Sequence, residues 1–182
     1  FYASDPSKDE SQRYLTEKFL VECFSRSKEF VLVIKTHPQD NGTITNYAYL
    51  DSKSPSNVIL IGDITQKGQI NSSNFLLFDQ FDFNAAISSC HGFLTSSSSS
   101  ILQALMLDVK AGIIDKFDNG YYDYLITSKA AMLINSEESF KKFLETKKLD
   151  VTDNILSYCG LKNNNEEFDV GRHLVNCLEK IH

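Results

Sequence analysis

Two short polar stretches carry the residue types needed to hold an anion. The first is Lys35-Thr36-His37-Pro38, which follows the apolar run of residues 30–34. An ammonium and an imidazole two positions apart, at the end of a strand, can both reach a negatively charged group. Pro38 ends the strand and fixes the turn. The second lies about sixty residues further on, where GFLT runs into five serines, residues 96–100, and then into ILQALML. Such a run is either a flexible linker or a polar turn. A linker separates two self-contained blocks, whereas both flanks here are apolar and belong to one strand-then-helix pattern. The turn reading explains them better. One serine then caps the helix, and the other hydroxyls and N–H groups collect where unpaired donors and the helix dipole suit phosphate. The plainer alternatives are capping alone or a disordered loop for the serines, and a surface turn with an exposed histidine for KTHP.

The elements that position these groups alternate along the chain. FYAS reads as a strand already in progress, so the chain is expected to be a domain cut from a longer protein. A helix follows, with Tyr14, Phe19, Leu20, Cys23 and Phe24 at helical spacing. Further strands are expected at residues 30–34 and in NVILIG, NFLLF, GFLT, KAGIID and AAMLIN. Helices are expected in FDFNAAISSC, in SILQALMLD with Ile101, Leu102, Leu105 and Met106 on one face, after NGYY, and in SEESFKKFLETKK. In the last, Ser136 and Ser139 have loose capping-box spacing, and Glu137 and Glu138 suit a helix N-terminus. NGTITNYAYLDSKS is ambiguous and reads as a helix. The tail, residues 150–182, is expected to form helices packing on the same domain. Continuously apolar strands separated by helices predict an α/β, Rossmann-like parallel sheet with helices on both faces. The 182 residues make one domain.

A strand ending in K-x-H-P, followed about sixty residues later by a strand ending in T-S-S-S-S with Q-A-L in the next helix, resembles the C-terminal, nucleotide-binding half of GT-B glycosyltransferases. It is most similar to the capsule-polysaccharide biosynthesis family, whose better-known members transfer Kdo from CMP-Kdo. Bacterial sialyl- and polysialyltransferases share the HP and SS motifs. Teichoic-acid glycerophosphotransferases using CDP-glycerol share them more loosely. The likeness runs from FYASD through NGYYDYL.

The resemblance implies that His37, with Pro38, contacts the donor phosphate. It implies that Thr95, Ser96, Ser97, Ser98 and Ser99 hold the same phosphate, Ser97 and Ser98 centrally, with Lys35 helping electrostatically. Gln103 stands where such enzymes carry the glutamate of E-A-L, which binds the ribose; an amide hydrogen-bonds a hydroxyl but lacks the charge. DVKA stands in place of the family's G-K-P, and Tyr121 and Tyr122 are expected along the cleft or packed on a helix. The implied function is to bind a CMP-activated sugar, Kdo or sialic-acid-like, for synthesis of a bacterial surface polysaccharide or glycolipid. The implied partners are the nucleotide-sugar donor, a glycan or glycolipid acceptor, and a missing N-terminal acceptor domain that supplies the catalytic base. No cofactor and no metal are implied. The full-length protein is then a transferase, the isolated domain inactive, and the location cytoplasmic or peripheral at the inner membrane face. Three alternatives stand beside it: a CDP-glycerol-type glycerophosphotransferase domain, a nucleotide-sugar epimerase preferring UDP, and a non-catalytic interaction module of the same fold.

Composition excludes other classes. A net charge of −6 with three arginines leaves no basic stripe for nucleic acid. No apolar run reaches the roughly 18 residues of a membrane span. Cys23, Cys90, Cys159 and Cys177 form no C-x-x-C pair and read as reduced, partly buried thiols. Asp79, Asp82 and Asp118 lack metal-ligand spacing and suit surface or capping roles. His91 reads as structural. Neither G-x-G-x-x-G nor a Walker A sequence occurs.

Overall fold

A computed structural model describes residues 1–4, 10–37, 55–63, 75–78 and 80–149. The seven expected strands are all present: β1 (Tyr2–Ala3), β2 (Leu32–Lys35), β3 (Val58–Asp63), β4 (Phe75–Phe78), β5 (Phe93–Thr95), β6 (Ala111–Ile114) and β7 (Ala131–Ile134). They form one sheet in the order β4-β3-β2-β1-β5-β6-β7, and every adjacent pair is parallel. The described helices are α1 (Glu10–Ser25), α2 (Phe83–Ser89), α3 (Ser100–Met106), α4 (Asp123–Thr127) and α5 (Glu137–Glu145). Among the described residues no helix is long and apolar enough to cross a membrane.

Alternation along the strands sends side chains to two separate cores. Tyr2, Leu32, Ile34, Leu94, Ile114 and Ile134 pack with Phe19, Leu20 and Phe24 of α1 and Phe140 and Phe143 of α5. Ala3, Phe93, Ala111, Ile113 and Ala131 pack on the other face with Ile87 of α2, Ile101, Ala104 and Leu105 of α3, and Leu125 of α4. The helices therefore cover both faces, and the fold is the α/β, Rossmann-like arrangement that the apolar runs imply.

Some details differ from the pattern in the sequence. The run at residues 30–34 enters the sheet only at Leu32, and Val31 is exposed. The cause is Asn57, whose side-chain amide donates to the carbonyls of Phe24 (2.8 Å), Ser27 (2.9 Å) and Phe30 (3.1 Å) and holds the chain in a turn. Tyr14 and Met106, expected on apolar helix faces, are exposed; α1 instead buries the polar residues Arg13, Thr16 and Glu17. The loose Ser136/Ser139 pattern is a reciprocal capping box. Pro38, Asp79, Cys159, Cys177, the helix read at NGTITNYAYLDSKS and the C-terminal helices all lie outside the described residues.

A buried lysine closes α5. Lys110 is only 4% exposed, and Gly92 beside it leaves room that a Cβ would take, since such an atom would lie 2.7 Å from Cζ of Phe143. Lys110 Nζ donates to the carbonyls of Phe143 (2.7 Å), Leu144 (3.2 Å) and Thr146, and lies 2.8 Å from His91 Nε2. Carbonyls at a helix end have no intrahelical donor, so the ammonium supplies one. Lys110→Met should strand them and lower the unfolding free energy by about 2 kcal/mol in a urea titration. Burial lowers the pKa of the Lys110 ammonium to about 8. Between that value and the roughly 10.4 of a free lysine, the unfolded chain binds more protons than the folded one. The contribution of Lys110 is therefore smallest below the folded value and rises with pH through the window. The stability gap between the natural chain and Lys110→Met should widen from about pH 8 to about pH 10; a narrowing gap would mean that the carbonyl dipoles outweigh desolvation.

Candidate functional site

The strand order reverses between β1 and β5. Open parallel sheets leave a crevice outside the carboxyl ends of the strands at such a reversal, because the two connections leave toward opposite faces. A pocket of about 430 Å³ lies there, lined by Ala3 and Ser4 after β1, Lys35, Thr36 and His37 after β2, Phe81 and Phe83 at the start of α2, and Ser98, Ser99 and Ser100 at the start of α3.

The β1 and β2 wall is fixed by backbone pairing. Ser4 N donates to Lys35 O (2.9 Å) and Thr36 N to Ile61 O (2.9 Å). The buried Thr36 hydroxyl donates to that same Ile61 carbonyl (3.1 Å), which sets the half-buried His37 at the strand end. Lys35 Nζ donates to Thr36 O at 2.8 Å, so the ammonium stays at the carboxyl edge. Ser4 Oγ donates to Glu17 Oε1 on α1 at 2.5 Å, and both residues are buried.

The serine turn is built, not slack. Thr95 is fully buried; its hydroxyl donates to Ala3 O (3.4 Å) and accepts from Ser98 N (3.0 Å). Ser98 Oγ accepts from Ser100 N (3.3 Å) and donates to Ser100 Oγ (3.1 Å). Ser96 Oγ lies 3.2 Å from Tyr2 Oη, and Tyr122 Oη donates to Ser97 O at 2.9 Å. Ser99 occupies the N-cap position of α3 without making a side-chain cap bond. The capping expected of one serine thus falls to Ser98, and the Ser99 hydroxyl stays at the pocket.

The third wall is aromatic. Asp82 N-caps α2, its carboxylate accepting from Ala85 N at 2.9 Å, which orients the flanking Phe81 and Phe83. Phe81 stacks on Phe1 (6.2 Å between centroids), and Phe83 meets Phe1 and Phe93 edge-on (5.7 and 6.5 Å). No carboxylate lines the pocket among the described residues, although the chain carries a net charge of −6. Lys35, His37 and the serine hydroxyls make it a place for an anion, and the phenyl rings offer a flat apolar surface.

The site residues expected from sequence are divided by this geometry. Lys35, His37, Ser98 and Ser99 meet at the pocket. Thr95, Ser96 and Ser97 stand behind it as support, and Gln103 lies exposed on α3, outside the described lining. Of the two tyrosines, Tyr122 braces the serine turn, and Tyr121 is 65% exposed. Ser4, Phe81, Phe83 and Ser100 also line the pocket; serine beside a strand end and phenylalanine at a helix start are too common to have announced it.

Other polar groups serve the fold. His91 contacts Lys110 and the end of α5. Burial pushes the Cys90 thiol up, away from the reactive thiolate. Asp115 accepts from the backbone N–H groups of Phe117 (3.1 Å), Asn119 (3.0 Å) and Gly120 (3.1 Å) and so shapes the loop before α4. Among the described residues no three His, Cys, Asp or Glu side chains gather as metal ligands. Comparison with family models, curated proteins and solved structures finds no match to this chain.

Thr95→Val keeps the shape and deletes both hydroxyl bonds. It should cost about 1–2 kcal/mol in chemical unfolding by leaving Ser98 N without its acceptor. Ser99→Ala, at an exposed N-cap position without a side-chain cap bond, should change stability by under about 0.5 kcal/mol; the reverse order of effects would contradict this division of roles.

Proposed function

We propose that this domain binds the nucleotide-sugar donor of a glycosyltransferase, a CMP-activated sugar, within a longer protein that makes a bacterial surface polysaccharide or glycolipid. The observation that carries the reading is the meeting of two distant motifs. Lys35 and His37 from one side, and Ser98 and Ser99 from the other, line one pocket at the strand-order reversal. Lys35 and His37 supply charge-assisted donors for phosphate, and Ser99 supplies a hydroxyl. The catalytic contribution of such a site is to stabilise the negative charge that gathers on the departing nucleotide. The base that activates the acceptor belongs to the partner half in this reading, and the isolated chain turns over nothing.

One observation favours a second reading, a non-catalytic interaction module. The serine turn already satisfies much of its own hydrogen bonding through Thr95, Ser98, Ser100 and Tyr122. Calorimetric titration with CMP, CDP, UDP and GDP separates the readings. The donor-domain reading expects CMP to bind best and His37→Ala to weaken it at least about tenfold, the value of one charge-assisted hydrogen bond. Preference for CDP would move the chemistry to glycerol phosphate transfer, and preference for UDP to another donor or to epimerase chemistry. No response to any of the four, from a chain that melts cooperatively, would favour the interaction module.

A further inference from the structure

Ser4 differs from Thr36 and Ser98 of the pocket in the group that takes its proton, a carboxylate where theirs go to a carbonyl and a hydroxyl. A serine hydroxyl has one proton and two lone pairs. Here the proton goes to Glu17 Oε1, 2.5 Å away on the fully buried part of α1. Toward the pocket, Ser4 Oγ is left with lone pairs alone, and a carboxylate stands behind it. Phosphate oxygens are acceptors too, so this corner repels the group that Lys35, His37 and Ser99 attract. What it can take is a hydrogen-bond donor.

We infer that Ser4, oriented by Glu17, is the acceptor for a ribose hydroxyl of the bound nucleotide, making the pocket selective for a ribonucleotide. The inference rests on the nucleotide reading above and adds a polarity to it. Lys35, His37 and the Ser99 hydroxyl gather at the end of β2 and the serine turn; the hydroxyl committed to a carboxylate sits after β1, in the same pocket. A 5′-nucleotide has the matching pattern, an anion joined through one methylene to a ring bearing donor hydroxyls. The ribose is also the polyol that stays bound during transfer, since the migrating sugar must face the acceptor. Gln103, which the resemblance assigns to the ribose, is exposed and outside the described lining, so Ser4 takes that contact. Glu17 touches no ligand and acts as a positioning residue: it commits the Ser4 proton and fixes the direction of the lone pairs.

The test is calorimetric titration of CMP, 2′-deoxy-CMP and 3′-deoxy-CMP against the natural chain, Ser4→Ala and Glu17→Gln. The natural chain should prefer CMP over one deoxy analogue by about five- to tenfold, the value of one hydrogen bond left unmade in a confined site. Ser4→Ala should reduce that preference to less than about twofold while still binding the deoxy analogue as the natural chain does. Removal of Ser4 takes one hydrogen bond from the buried Glu17, so folding is checked by melting. If that variant does not fold, Glu17→Gln carries the test: its amide donates to Ser4 Oγ, turns the hydroxyl proton toward the pocket and shrinks the preference. A purely structural role for the pair would weaken CMP and its analogues equally and would overturn the inference. So would CMP binding without any preference, which leaves the nucleotide reading standing. No CMP binding by the natural chain overturns both.

Discussion

The structure depends on how a two-residue strand is held. β1 sits at the centre of the sheet and has a parallel partner on each side: Tyr2 opposite Ile34 and Leu94, Ala3 opposite Lys35. Buried peptide groups must find partners, and a central strand finds them only if both neighbours are in register. Ser4 N to Lys35 O and Leu94 N to Phe1 O complete that pairing. Parallel pairing then brings the carboxyl ends of all seven strands to one edge. Tyr2 faces the core under α1 and α5, and Ala3 the core under α2, α3 and α4. The same strand thus anchors both cores and ends at the pocket.

Two opposing polarities meet at that edge. The chain is acidic overall, but surface charges lose their reach over roughly 8 Å of physiological salt. What a bound group experiences is set by its neighbours, and the described lining contains Lys35 and His37 but no carboxylate. Glu17 lies one shell back and acts through Ser4, so its charge sets a hydrogen-bond direction. The aromatic wall needs no charge. Phe1, Phe81, Phe83 and Phe93 hold one another, and two of them show a face or edge to the pocket.

The sheet was legible in the sequence because a strand buried on both faces must be apolar at consecutive positions. Each of the seven runs obeys that rule. Boundaries were less legible. Nothing about residues 30–34 foretells that Asn57, more than twenty residues away, will hold Phe30 in a turn and delay the strand to Leu32. The face of α1 was not legible at Tyr14 because the helix buries a polar set, Arg13, Thr16 and Glu17, the last bonded to Ser4 after β1. For the site, the carboxyl ends of β2 and β5 were recognisable from polar residues that abruptly follow apolar runs. Which serines face the pocket was not. The division between Ser98 and Ser99 at the lining and Thr95 to Ser97 behind it comes from hydrogen bonds to Ala3 and Tyr122, which local sequence does not encode.

The Thr95 hydroxyl touches Ala3 O on β1 and Ser98 N in the serine turn, and so ties two walls of the pocket together through a single oxygen. Neither wall can shift alone without breaking a bond inside the protein. A ligand entering between them meets donors already at their working separation, and little of its interaction energy is consumed in ordering this part of the protein. Association on that side is then governed by collision and orientation, with no preceding rearrangement of β1 against β5. Discrimination between related ligands falls accordingly on how long each one stays.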